Sequence, residues 1–302
     1  MRAMRIPAAL LALLALVSNP AAYGGEVMRE HGSATETEHT PVDLLRVESS
    51  YVFESDFDDD VFGEQDALQT ALEYSHRFRL TGRIYLRAGL AYNRFDFGES
   101  SAPVPDQLFS IAGLIGVDYM VGKETGAFLH FRPGFYTEDD IDSASFDVPI
   151  TGGRVFVLQP DRLYVFVGAT AAFLRGQYPV LPIAGVIWKP TEQWSFFGML
   201  PEPRITYSPT KAIDLFVGGQ WVGSSFRTDR DDAIHPQRLS GAQVDYTEYR
   251  VGGGVEVRCG EAVSLIASGG YALQRRFDFE RADAEYKTDP APYVRVALKA
   301  EF

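Results

Sequence analysis

From Asp43 to Phe302 the chain repeats one pattern: segments of alternating apolar and polar residues, joined by connections of two kinds that take turns. The short ones are Leu80-Thr81-Gly82, Val121-Gly122-Lys123, Gln159-Pro160-Asp161, Lys189 to Glu192, Ser208 to Lys211 and Cys259-Gly260-Glu261. The others, mostly longer and acidic, are Glu54 to Asp66, Phe97 to Asp106, Glu138 to Ser145, Gly176 to Pro179, Thr228 to Gly241 and Glu280 to Pro290. A period of two describes a strand that meets an apolar medium on one face only. Connections that alternate between short and long are the two ends of an up-and-down meander, with short turns on the periplasmic side and long loops outside.

One stretch tests the parity. Trp194 to Tyr207 has a short turn at both ends, which a single crossing cannot have. Pro201-Glu202-Pro203 resolves it, because two prolines cannot both donate to a ladder and they favour a reversal. Splitting there predicts short strands near 194–200 and 204–208 and a total of about fourteen, with twelve as the alternative. The fold class is therefore all-β: an up-and-down antiparallel transmembrane β-barrel over residues 44–302, with both chain ends on the periplasmic side. Fourteen strands about 4.8 Å apart and tilted by ~40° give a backbone diameter of roughly 28 Å.

The ends of the chain agree. Tyr293 to Phe302 alternates Val294, Val296, Leu298 and Ala300 with Arg295, Lys299 and Glu301. A strand of this kind ending on an aromatic residue resembles the terminal strand of bacterial outer-membrane barrels, and Phe302 is expected to act as the assembly signal. Residues 1–24 read as a secretory signal: Arg2 and Arg5 precede the apolar run Ile6–Val17, which is too short to span a membrane as a helix. Cleavage fits after Ala22 or after Gly24. Residues 25–43 read as a disordered periplasmic lead-in. Loss of Arg2 and Arg5 takes the formal charge from −13 to −15, which argues against nucleic acid as a partner. The expected partners are outer-membrane lipids, the barrel-assembly machinery and small solutes.

The alternation also sorts the lumen from the lipid face. In Leu68–Leu80, Leu68, Leu72, Tyr74, Phe78 and Leu80 point outward, while Glu73, Ser75, Arg77 and Arg79 point inward. Arg83 and Arg87 on the next strand, His130 and Arg132 between Ala127 and Phe135, and Glu248 and Arg250 further on are likewise inward. These residues are the lumen-lining candidates. An Arg or Lys facing lipid near the midplane would cost about 2–4 kcal/mol, so mixed charge on one face predicts a wet interior. Arg77, Arg79, Arg83 and Arg87 form a ladder around one short turn. It would bias a pore toward anions if open, or cross-link the wall if paired with carboxylates such as Glu73, Glu48 and Glu256.

Nothing in the chain spells a catalytic, metal or cofactor motif. Of the five histidines, His31 and His39 lie in the lead-in and His235 in a loop. His76 falls outward between Tyr74 and Phe78, with Ser75 on the opposite face. Asp56, Asp58, Asp59 and Asp60 crowd one loop without the spacing of a calcium-binding loop. The single cysteine, Cys259, points outward among apolar residues.

The run Gly185-Val186-Ile187-Trp188-Lys189-Pro190, then Trp194, then Pro201 to Tyr207 and Gly218-Gly219, resembles an uncharacterised family of bacterial outer-membrane barrels, a domain of unknown function. The resemblance implies an exported barrel and no activity. The leading expectation is a passive channel for small solutes. A structural or surface-interaction barrel with a closed lumen comes second, and an outer-membrane enzyme third.

Overall fold

The computed structural model describes residues 42–121, 124–175, 179–230 and 234–302. The expected signal segment, nearly all of the lead-in and the Gly122 turn lie outside the described residues. The described chain forms one sheet of seventeen strands. They are β1 (Asp43–Asp56), β2 (Glu64–Thr81), β3 (Ile84–Phe97), β4 (Gln107–Val121), β5 (Glu124–Phe131), β6 (Gly134–Thr137), β7 (Phe146–Asp147), β8 (Ile150–Gln159), β9 (Leu163–Ala171), β10 (Val180–Trp188), β11 (Trp194–Gly198), β12 (Arg204–Thr210), β13 (Ile213–Arg227), β14 (Gln243–Cys259), β15 (Val263–Phe279), β16 (Ala284–Lys287) and β17 (Ala291–Glu301). They make fourteen crossings, because β5 with β6, β7 with β8 and β16 with β17 are each one crossing with a break in it. Every break holds a proline (Pro133, Pro149, Pro290), which has no N–H to give to the ladder.

Consecutive crossings pair antiparallel all the way round, and the first and last close the ring. β1 pairs with β17 from Leu44 against Glu301 to Val52 against Tyr293. The seam ends in backbone bonds to the terminal residue: the carbonyl of Phe302 accepts from Val42 N–H at 3.0 Å and from Asp43 N–H at 2.7 Å. Phe302 N–H donates to Asp43 O at 3.0 Å. Removal of Phe302 is therefore expected to lower the assembled fraction in membranes far more than removal of one residue between Glu26 and Pro41. Equal membrane levels of the two variants would show these seam bonds to be dispensable.

β11 and β12 are separate strands, and their turn is built on Pro201 and Pro203. Two loops are shorter than the sequence suggests, because pairing continues into them: Asp56 lies against Glu64 and Phe279 against Ala284. The outer surface is apolar, with Leu72, Leu90, Ile115, Val217, Val251 and Val296 all exposed. The inner surface carries the buried charges Arg77, Arg87, Asp118, Glu48, Glu248 and Arg250. A closed antiparallel barrel of this inverted kind leaves no unpaired edge and suits a bilayer. This is the build of a transmembrane β-barrel of the outer-membrane type. With short turns in the periplasm, a thiol placed at Asp59 is expected to be labelled on intact cells and one at Gly260 to be protected, Cys259 having first been replaced. The reverse pattern would invert the orientation.

Candidate functional site in the lumen

Alternation along β3 shows how the interior is built. One face carries Arg87 and Asn93, and the same face continues into Phe95 and Phe97 toward the loop end. Polar and apolar layers therefore stack along the barrel axis, so the charged interior expected from the sequence fills only part of its height.

Nearest the turns, four strands meet at Asp118, which has no solvent exposure. Arg77 Nε and Arg87 Nε each donate to its Oδ2 at 3.0 Å, and His130 Nε2 lies 2.7 Å from its Oδ1. An ionised carboxylate only accepts, so the Nε2–H tautomer of His130 is the donor. Arg77 and Arg87 sit directly opposite in the β2–β3 ladder, a like-charge placement that destabilises a sheet unless a counter-charge is shared. Gly116 makes room for the arrangement, since a Cβ there would lie 2.2 Å from His130 Cδ2.

The arginine ladder thus divides. Arg77 and Arg87 are held by a carboxylate on β4, whereas Arg79 and Arg83 are exposed beside the Thr81–Gly82 turn, Arg79 donating to Gly82 O at 3.3 Å. The carboxylates named from the sequence have other partners: Glu73 binds Arg132 at 2.8 Å, Glu256 binds Arg204 at 3.2 Å, and Glu48 belongs to the next layer. The reason is height in the barrel, because only Asp118 lies level with Arg77 and Arg87. Parity alone could have flagged it, as the one carboxylate on the inward face of β4.

The middle layer is a belt around Glu48. Arg295 grips it with Nε and Nη2, both at 2.8 Å, and Arg46 adds a third bond at 2.6 Å. Glu202, at the tip of the β11–β12 turn, reaches inward to Arg295 at 2.7 Å. From sequence Glu202 reads only as a turn residue between Pro201 and Pro203. Glu248 binds Arg250 and accepts from Tyr246 Oη at 2.9 Å. Ser50, Gln69 and Asn93 continue the mesh.

Above the belt the lumen is closed by an apolar plug. Phe95, Phe97, Phe226, Tyr246 and Phe277 are buried together, with Phe97 and Phe277 edge to face at 4.9 Å. Here β6 leaves its crossing to meet β13 across the barrel, Thr137 beside Arg227. A second apolar cluster, including Phe128, Phe166, Ile187 and Phe197, lines the inside of β5 and β8–β11. Between plug and belt remains a chamber of about 180 Å³, touched by Arg46, Gln69, Asn93, Arg132, Gln220 and Trp221.

Two outer loops are tied together over the plug. Glu138 Oε2 accepts from Asp229 N–H at 2.8 Å, and both carboxylate oxygens of Asp229 accept from Asp140 N–H at 3.1 Å. Burial pushes the Glu138 carboxyl up to about 7, with Asp229, Asp106 and Asp139 adding repulsion and the Asp229 N–H opposing. Burial also raises Asp229. A carboxyl raised on folding favours the tied state below its ordinary range near 4.5, and that contribution is lost as pH climbs through about 7. Proteolysis of the two loops is therefore expected to speed up between pH 5 and 8, and Glu138→Gln to flatten the response. An equal response in the variant would remove Glu138 as its source.

Ser75 is buried inward, and His76 sits on the other face, bound to Asp43 at 2.8 Å. Among the described residues no group of His, Cys, Asp and Glu is placed to hold a metal ion. Asp59 instead caps the turn that follows it, accepting from Val61 N–H at 3.3 Å.

No family model matches the sequence, and no curated protein matches it. Several solved structures are similar in shape. An outer membrane channel from Pseudomonas putida F1 is 10% identical, with 89% of this chain and 98% of that one covered and a TM-score of 0.46. A deletion mutant of the monoaromatic hydrocarbon channel TodX is 10% identical over 89% and 93% of the two chains, at 0.47. The translocator domain of the autotransporter NalP from Neisseria meningitidis is 12% identical over 92% and 95%, at 0.40. These likenesses are too distant to carry a function. The barrel stands on its own strand pairing.

Proposed function

We propose that the protein is a narrow outer-membrane channel for small solutes, held here in an occluded state. The observation that supports this reading is the polar chamber at mid-barrel, walled by hydrogen-bonding side chains where a purely structural barrel would need only packing. Layers of paired charge permit a solute to exchange one hydrogen-bond partner for another. The apolar plug closes the axial path. Purified protein in planar bilayers is expected to show brief conductance steps, far smaller than those of an open porin. The plug and the second apolar cluster favour the other reading, a structural or surface-interaction barrel with a closed lumen. Electrical silence together with impermeability of proteoliposomes to small sugars would decide for that one.

A further inference from the structure

The barrel wall is not equally high all round. At about 3.3 Å per residue and ~40° of tilt, β13 to β15 rise roughly 38–43 Å, β9 and β10 roughly 23 Å, and β11 and β12 only roughly 13–18 Å, against an apolar band ~25 Å tall. Strand pairing stops accordingly. β12 leaves β13 after Gly218, and the next strand on that edge is β6, at Arg227. Within this gap Gly219 N–H and Trp221 N–H are taken by the carbonyls of Pro203 and Pro201. On the facing side, β10 has β11 beside it only from Val186 to Trp188, so among the described residues no strand lies along that edge of Val180–Gly185. Hydrocarbon cannot satisfy such backbone groups, and irregular backbone at membrane depth is tolerated where it is covered by protein or lines a water-filled cavity.

The chamber reaches this place. Trp221, Gly223 and Ser225 of β13 and Ala172 and Arg175 beyond β9 all line it. Trp221 is 5% exposed, and its indole N–H is buried with no hydrogen-bond partner among the described residues. The plug, by contrast, shuts the axial way out through packed aromatic rings.

We propose that the chamber opens sideways over the low rim, between Gly223–Ser225 and Ala172–Arg175, and that it admits a small uncharged polar solute. The charges at its wall are engaged within the protein, Arg175 and Glu202 among them. Glu48 is held by Arg46 and Arg295 and Glu73 by Arg132. The Asp147 carboxylate accepts from Phe173 N–H at 3.0 Å and Leu174 N–H at 3.1 Å. What the lining adds is neutral: Gln69, Asn93, Ser110, Thr170 and Gln220, amides and hydroxyls that both donate and accept. The chamber, about 180 Å³, suits a solute on the scale of a small sugar or polyol.

This inference rests on the channel reading, and the test separates the two. Proteoliposome swelling is followed with xylose as the uncharged probe and with gluconate and lysine as charged ones. Ser225→Trp and Ala172→Trp narrow the side mouth from its two sides, and Phe277→Ala loosens the plug. Heat-shifted gel mobility of each variant reports whether the barrel has assembled. Xylose flux is expected to fall at least about fivefold in each tryptophan variant and to stay within about twofold in Phe277→Ala. Unchanged flux in both tryptophan variants, with a rise in Phe277→Ala, would overturn the side mouth and leave an axial channel standing. Faster passage of either charged probe than of xylose would overturn the solute class. Impermeability of the unmodified protein to xylose would overturn the side mouth and the channel reading together.

Discussion

Asp118→Asn is expected to destabilise the barrel by about 3–5 kcal/mol, the range for removing one partner of a buried ion pair. Asp118 is fully buried and is the counter-charge shared by Arg77 and Arg87, which face each other across β2 and β3. Asparagine keeps the shape and one acceptor oxygen but removes the charge, so two guanidinium groups are left to repel at close range in a space with little water. His130 loses its carboxylate acceptor as well. Arg87→Gln should cost less, because Asp118 keeps Arg77 and His130. Arg83→Gln, at an exposed position by the turn, should change stability by no more than about 0.5 kcal/mol. Urea unfolding of the refolded barrel in detergent measures all three. A loss below that of Arg87→Gln would mean that Asp118 does not organise this layer.

Phe277→Ala is expected to cost about 3–5 kcal/mol, as truncation of a fully buried aromatic does. Phe277 has no exposure and packs against Phe97 at 4.9 Å and Tyr246 at 5.1 Å. The plug is bounded by strands on several sides, so the hole left by the ring cannot collapse easily, and the cavity contribution adds to the lost transfer energy. Phe173→Ala, at a ring 75% exposed, should fall within about 0.5 kcal/mol. Similar losses at the two positions would show that the plug is loosely packed and can yield to a passing solute.

Much of the barrel was legible one residue at a time. Leu68, Leu72, Tyr74 and Phe78 point outward and Arg77 inward because strand side chains alternate strictly, and a lipid face and an interior select opposite polarity. Pro201 and Pro203 marked the split between β11 and β12 because proline acts on the backbone where it stands. The count of crossings followed from the parity of turns. Those are local rules, and a sequence states them directly.

The lumen obeys another kind of rule. Asp118 and Arg77 are 41 positions apart, and Arg295 and Glu48 are 247 apart. Which carboxylate meets which guanidinium depends on how far each strand has climbed when the ring closes. A period of two records the face of a residue but not its height. Nor does it record that Phe95, Phe97, Tyr246 and Phe277, each an ordinary inward position on its own strand, arrive at one level and fill it. The low rim over β9–β12 has the same origin: it appears only when short strands stand beside long ones. The sequence alone determined the barrel, its crossings and its inner face. Tertiary structure decided the layering, the plug and the chamber, because those depend on distances across a closed ring that no local pattern encodes.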